Sequence, residues 1–236
     1  MRWNNSAVRD VKPAMQIEEM AIQKPRDTAG TWASVLFCLF AVLPIRMFIN
    51  WISPQPTVFG DSLREILILT CAAGLLLYVH FVERLPFTSI GIGTSVWWKS
   101  ALWSIVTAAV CLGAAGGIIA VTKWDGGAHA HDFDTLPLWL IVVIVFRAGL
   151  VEELFYRGFP IERLQSLGWP RWAAALVPLV TFAGMHYPGG AMNVLVSFTL
   201  GAILTLFYLW RRDLAANIIA HFLVDFIANV LPRLTK

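Results

Sequence analysis

Glu152 and Glu153 stand side by side in FRAGLVEELFYRGF, residues 146–159, at the end of an apolar run that begins near Leu136. Charges inside such a run are expensive, and an ionisable residue at membrane depth marks a functional site by default. On a helix Glu153 and Arg157 lie four apart on one face, where they can pair. Glu152 sits about 100° round the helix from Glu153. It has no local basic partner and must find one on another helix. That asymmetry separates one structural carboxylate from one working carboxylate. Two more pairs share a helix face at the same spacing, Phe182 with His186 and His221 with Asp225, and Asn229 extends the His221 face.

Isolated in hydrocarbon, each of these groups would be costly, so two histidines and an unpaired glutamate should converge on one wet site. A desolvated carboxylate beside imidazoles can act as general base on water. Neutral histidine can orient that water, bind a metal or stabilise an oxyanion. Asp225 or Asn229 could hold a substrate carbonyl or orient His221. No Ser or Cys stands at a motif position beside a base, so a covalent nucleophile is not indicated. The combination favours activated-water hydrolysis, with a proton or ligand pathway as the open alternative. Glu152, His186 and His221 could also supply three zinc ligands with a fourth position open. The chain has no HExxH, which argues against tightly held zinc.

These residues need helices to position them, and the composition supplies little else. Of 236 residues 58% are hydrophobic and only 14% charged, with a mean hydropathy of +0.67. A soluble domain is nearer half apolar and a quarter charged. The expected fold is all-α, a polytopic transmembrane helical bundle. Apolar stretches at residues 31–51, 63–82, 101–121, 136–159, 171–186, 192–210 and 215–231 predict about seven spans, the last four carrying the chemistry. Residues 1–30 form a polar tail without the apolar core of a cleavable signal peptide. Residues 31–135 hold the N-terminal transmembrane helices, and residues 136–232 the catalytic membrane core.

Within this frame Pro160 permits a kink or a helix start, and residues 161–167 look like a short amphipathic helix that turns Glu162 and Arg163 outward. Gly113 and Gly117 have the GxxxG spacing that favours close helix packing. Asp213 is placed to cap the last helix. The loop residues His129, His131, Asp132 and Asp134 could take a metal but lie in a polar, unstructured-looking stretch. Cys38, Cys71 and Cys111 sit alone in separate apolar segments and read as small buried hydrophobes. A formal net charge of +3, with no basic stripe, gives no reason to expect nucleic acid as a partner. Lys and Arg distribution places the N-terminus inside. By the same reading Glu152 lies near the inner end of its helix and His186 near the outer end of the next. They can meet only if the Glu152 helix runs on past Arg157, or if the His186 helix starts later or tilts.

The motifs EExxxR (Glu152, Glu153, Arg157), FxxxH (Phe182, His186) and HxxxN/D (His221, Asp225) resemble, in order and spacing, the three signatures of the CPBP family. These are the CAAX-protease and bacteriocin-processing intramembrane proteases, also called Abi. The resemblance covers roughly residues 136–231. It implies an intramembrane endopeptidase that uses a glutamate-activated water on a peptide or lipidated membrane protein. By position, Glu152 would be the general base assisted by His186. His221 and Asp225 would form the oxyanion side, and Glu153 and Arg157 would orient the site. Asp225 stands where the eukaryotic prenyl proteases of the family have Asn, and a carboxylate stabilises an oxyanion only when protonated. Asp225 would then orient His221, leaving Asn229 as the amide donor. Family members are described both as metalloproteases and as metal-independent, so zinc on Glu152, His186 and His221 stays open. A compact chain fits bacterial members and their inner membrane. Competing readings are a scaffold whose polar residues join helices, a non-proteolytic binding, immunity or transport protein on the same core, and a bis-His haem protein.

Overall fold

The computed structural model describes residues 27–124 and 136–235, so the His129–Asp134 cluster lies outside the described residues. Each expected span is helical, and no strand occurs among the described residues. The first is broken. α1 (Thr28–Phe40) and α2 (Val42–Ile52) meet at a bend of 49°. Pro44 explains the break, because it has no N–H for the Phe40 carbonyl and its ring crowds that carbonyl. α3 (Val58–Leu77) begins earlier than its apolar run suggests, since the Thr57 hydroxyl accepts the Gly60 N–H at 3.0 Å and caps it. It continues through a π-helical turn, Tyr78–Glu83, and stops at Arg84 in the left-handed region. α4 spans Trp97–Thr122.

α5 runs without interruption through Leu138–Arg147, the π-helical turns Ala148–Glu152 and Leu154–Gly158, and Phe159–Ser166. Of a kink or a helix start at Pro160, the second is seen: an α-helical segment begins at Phe159 directly after the π turn. The preceding π turn lets Pro160 occupy a first-turn position, where its missing N–H leaves no bond unmade. Glu162 and Arg163 are buried rather than outward. Glu162 accepts from Arg212 Nη2 at 2.7 Å and from the Tyr208 hydroxyl at 2.9 Å. Arg163 clamps Glu83 through Nε and Nη2, the latter at 2.7 Å, and its Nη2 also donates to the Ser89 hydroxyl. Both were misread because their partners lie on elements far away in sequence.

α6 (Arg171–Gly184) precedes α7 (Ala191–Arg211), and α8 (Leu214–Asp225) continues through a π turn, Phe226–Val230, to Leu231–Leu234. Asp213 caps α8 as expected, accepting the Ala216 N–H at 3.1 Å. Among the described residues four helices are long and apolar enough to cross a membrane, or five if the bent α1–α2 pair is one span. The charged α5 and the 14-residue α6 account for the difference from seven. Gly113 and Gly117 have no atom within 4 Å of a would-be Cβ, so the expected close packing does not occur among the described residues.

Close packing occurs instead where α8 crosses α5. A Cβ on Gly149 would lie 3.0 Å from both the Ile218 carbonyl oxygen and the Phe222 nitrogen, which are backbone atoms that cannot step aside. Gly149→Ala is therefore expected to destabilise the protein by about 1–3 kcal/mol. The check is thermal unfolding in detergent against Gly74→Ala, whose added methyl meets nothing within 4 Å.

Candidate active site

The π-helical turns of α5 set the register of the site. In an α-helix residues five apart diverge, whereas a π turn brings i and i+5 into line. Arg147 accordingly donates from Nη1 to Glu152 Oε1 at 2.8 Å. This corrects the expectation that Glu152 lacks a local basic partner. Arg147 also donates from Nε to Glu65 Oε2 on α3 at 2.6 Å. The other Glu65 oxygen accepts from Arg64 Nε at 3.1 Å. Glu65 and Arg147 were not singled out from sequence, although both are ionisable residues within apolar helices and carry the same signal as Glu152.

Glu153 points the other way, into the protein, and with Arg157 is fully buried. Its Oε1 accepts from Arg157 Nη1 at 2.9 Å and from His221 Nδ1 at 2.8 Å. Its Oε2 accepts from Asn217 Nδ2 at 2.9 Å, and the same amide donates to the Leu204 carbonyl. Asn217 also escaped the sequence reading, although it stands one turn before His221 on the same face of α8. Arg157 is held by further donation to Thr205 Oγ1 and the Gly201 carbonyl, both at 3.4 Å. Its guanidinium lies 4.3 Å from the centre of the Phe182 ring, a cation–π contact. Gly201 makes room for it, since a Cβ there would sit 2.9 Å from Arg157 Nη2.

Both histidines are fixed through Nδ1. A backbone carbonyl can only accept, so His186 donates its Nδ1–H to the Phe182 carbonyl at 2.8 Å. His221 directs Nδ1 at the Glu153 carboxylate in the same manner. This leaves Nε2 of each ring for the site. His221 Nε2 lies 3.9 Å from Glu152 Oε2 and 3.6 Å from Asp225 Oδ2, too far for direct hydrogen bonds. The Phe182 ring stands between the histidines, with centroids 4.7 Å from His186 and 6.4 Å from His221. His186 lies just beyond the end of α6, where Asn193 Nδ2 holds its carbonyl at 3.1 Å. Asn229 donates its amide to the Asp225 carbonyl on its own helix at 3.0 Å. α5 runs past Arg157 to Ser166, which puts Glu152 in mid-helix rather than at a helix end.

Among the described residues no three His, Cys, Asp or Glu side chains converge as metal ligands.

These helices define a polytopic integral membrane protein whose ionisable residues gather between α3, α5, α6 and α8. Residues 134–227 match the family model described as type II CAAX prenyl endopeptidase Rce1-like. Over this core the chain is similar to that endopeptidase family model, in agreement with the CPBP resemblance of its motifs. The matched segment contains Glu152, Glu153, Arg157, Phe182, His186, His221 and Asp225, and ends before Asn229. No match was found among curated proteins or solved structures.

Proposed function

We propose that this protein is an intramembrane endopeptidase that hydrolyses a peptide bond in a membrane-associated, lipidated substrate using water activated by Glu152. The observation that carries the reading is the pairing of one uncapped carboxylate oxygen, Glu152 Oε2, with an imidazole Nε2 at 3.9 Å. That spacing is too long for a direct bond, so Oε2 is free to take a proton from water beside an Nε2 that can face the carbonyl oxygen. In the reaction Glu152 Oε2 takes a proton from water while His186 Nε2 accepts its second hydrogen and orients it. The water oxygen attacks the carbonyl carbon, and the carbonyl electron pair moves onto oxygen. In its imidazolium form His221 keeps Nδ1–H on Glu153 and offers Nε2–H to that oxyanion. The intermediate collapses, the C–N bond breaks, and the leaving amine takes the proton from Glu152. Asp225 flanks His221 Nε2, and a protonated Asp225 would add a second donor.

The test compares wild type with Glu152→Gln in detergent on a fluorogenic farnesylated peptide ending in a free carboxylate. Wild-type cleavage lost in the variant supports the reading, and equal cleavage by both removes it. A chelator such as 1,10-phenanthroline is expected to leave the rate unchanged, because in this reading Glu152 activates water without a metal. Loss of activity restored by added zinc would reverse that expectation.

A further inference from the structure

We propose that Glu65 and Arg147 are positioning residues of the hydrolytic site: Glu65 anchors the Arg147 guanidinium, which holds one oxygen of Glu152 and leaves the other turned toward the histidines. This rests on the reading that Glu152 activates water. A glutamate side chain has a broad terminal torsion, so an unrestrained carboxylate presents either oxygen in many orientations. A general base needs one oxygen aimed at one water. Arg147 removes that freedom by binding Oε1 at 2.8 Å, and Oε2 is left facing His221.

The guanidinium can do this because it is itself held. Its planar fork offers donors in fixed directions. Nε goes to Glu65 at 2.6 Å and Nη1 to Glu152 at 2.8 Å, so two carboxylates on different helices fix one plane. Glu65 is buried and is steadied in turn by Arg64, whose Nη1 pairs with Asp61 at 2.9 Å. A row of alternating charge, Asp61–Arg64–Glu65–Arg147–Glu152, thus runs from α3 into the site on α5. Glu65 lies outside the matched segment 134–227, so this support comes from the N-terminal helices of the chain. The i, i+5 contact depends on the π turn at Ala148–Glu152.

A clamp that merely joined α3 to α5 would affect stability and leave the turnover of folded enzyme alone. The full-length protein is assayed in detergent on the farnesylated fluorogenic peptide as wild type, Arg147→Ala, Arg147→Lys, Glu65→Gln and Glu152→Gln. Arg147→Ala is expected to lower kcat about 10- to 100-fold with little change in KM. Millimolar guanidinium should restore much of that loss, while Glu152→Gln should stay inactive with or without it. Arg147→Lys, a point charge that cannot make both fixed contacts, should fall between wild type and Arg147→Ala. Glu65→Gln should lower kcat in the same direction. Wild-type or faster turnover in Arg147→Ala, or a loss that guanidinium does not restore in folded protein, overturns the proposal while Glu152→Gln remains inactive. Undiminished cleavage by Glu152→Gln overturns the glutamate reading and this proposal with it. Should Arg147→Ala not fold, an unchanged kcat in Glu65→Gln overturns the proposal alone.

Discussion

Glu152→Gln should remain folded and lose about 10²- to 10⁴-fold in kcat, the usual contribution of a general base. The amide has the shape of the carboxylate, and its oxygen can still accept from Arg147 Nη1, so the 2.8 Å contact to that residue is preserved in kind. What disappears is the basic oxygen facing His221 Nε2, replaced by an NH2 group that cannot take a proton from water. Peptide binding does not depend on that proton transfer, so KM should change little. Steady-state kinetics of both proteins, with circular dichroism to show equal helix content, provide the measurement. A drop confined to KM would place Glu152 in substrate binding instead.

The largest expected stability loss comes from Arg157→Met. This arginine and Glu153 are fully buried and 2.9 Å apart. Removing one member of such a pair leaves an uncompensated charge in a low-dielectric interior, at a cost of about 3–5 kcal/mol. The methionine fills the volume beneath Phe182 and keeps the damage from being a cavity. If the loss is electrostatic, the double variant Glu153→Gln, Arg157→Met should recover part of it, because no orphaned charge remains buried. Unfolding titrations of wild type, both single variants and the double variant form the cycle. A double variant as unstable as the sum of the singles would show that packing dominates. It should still turn over slowly, since Glu153 also holds His221 Nδ1 at 2.8 Å.

The helices were legible in sequence because apolar runs of span length have few alternative structures, and their ends at Glu83, Arg84 and Arg211–Asp213 carry plain stop signals. The site's residue types were legible for the same energetic reason, since charge and imidazole are costly in such runs. Orientation was harder. A wheel at 3.6 residues per turn assigns Glu152 no partner, and the two π turns of α5 change that phase so that Arg147 reaches it. Nothing in the residues 146–159 announces a π turn. Glu65 and Asn217 were missed because their partners lie 82 and 64 residues away, Arg147 and Glu153. Burial of Glu162 and Arg163 was invisible for the same reason. Local spacing reports which face a residue occupies, while the partner that makes burial tolerable comes from tertiary contact.

The exposure of the polar side chains falls steadily across the site, from 28% at Asp225 through 17% at Glu152 and 10% at His221 to none at Glu153. Hydrolysis consumes one water for each bond broken, and in the surroundings of these helices water is the scarce reagent. Of these groups Asp225 is the most open and the Glu153–Arg157 pair is sealed, so the reagent would have to reach Glu152 from the Asp225 side. A replacement molecule must follow the same route after each turnover. A bulky apolar side chain at position 225 is therefore expected to slow turnover, and its effect on kcat against KM would be read beside that of Asp225→Asn.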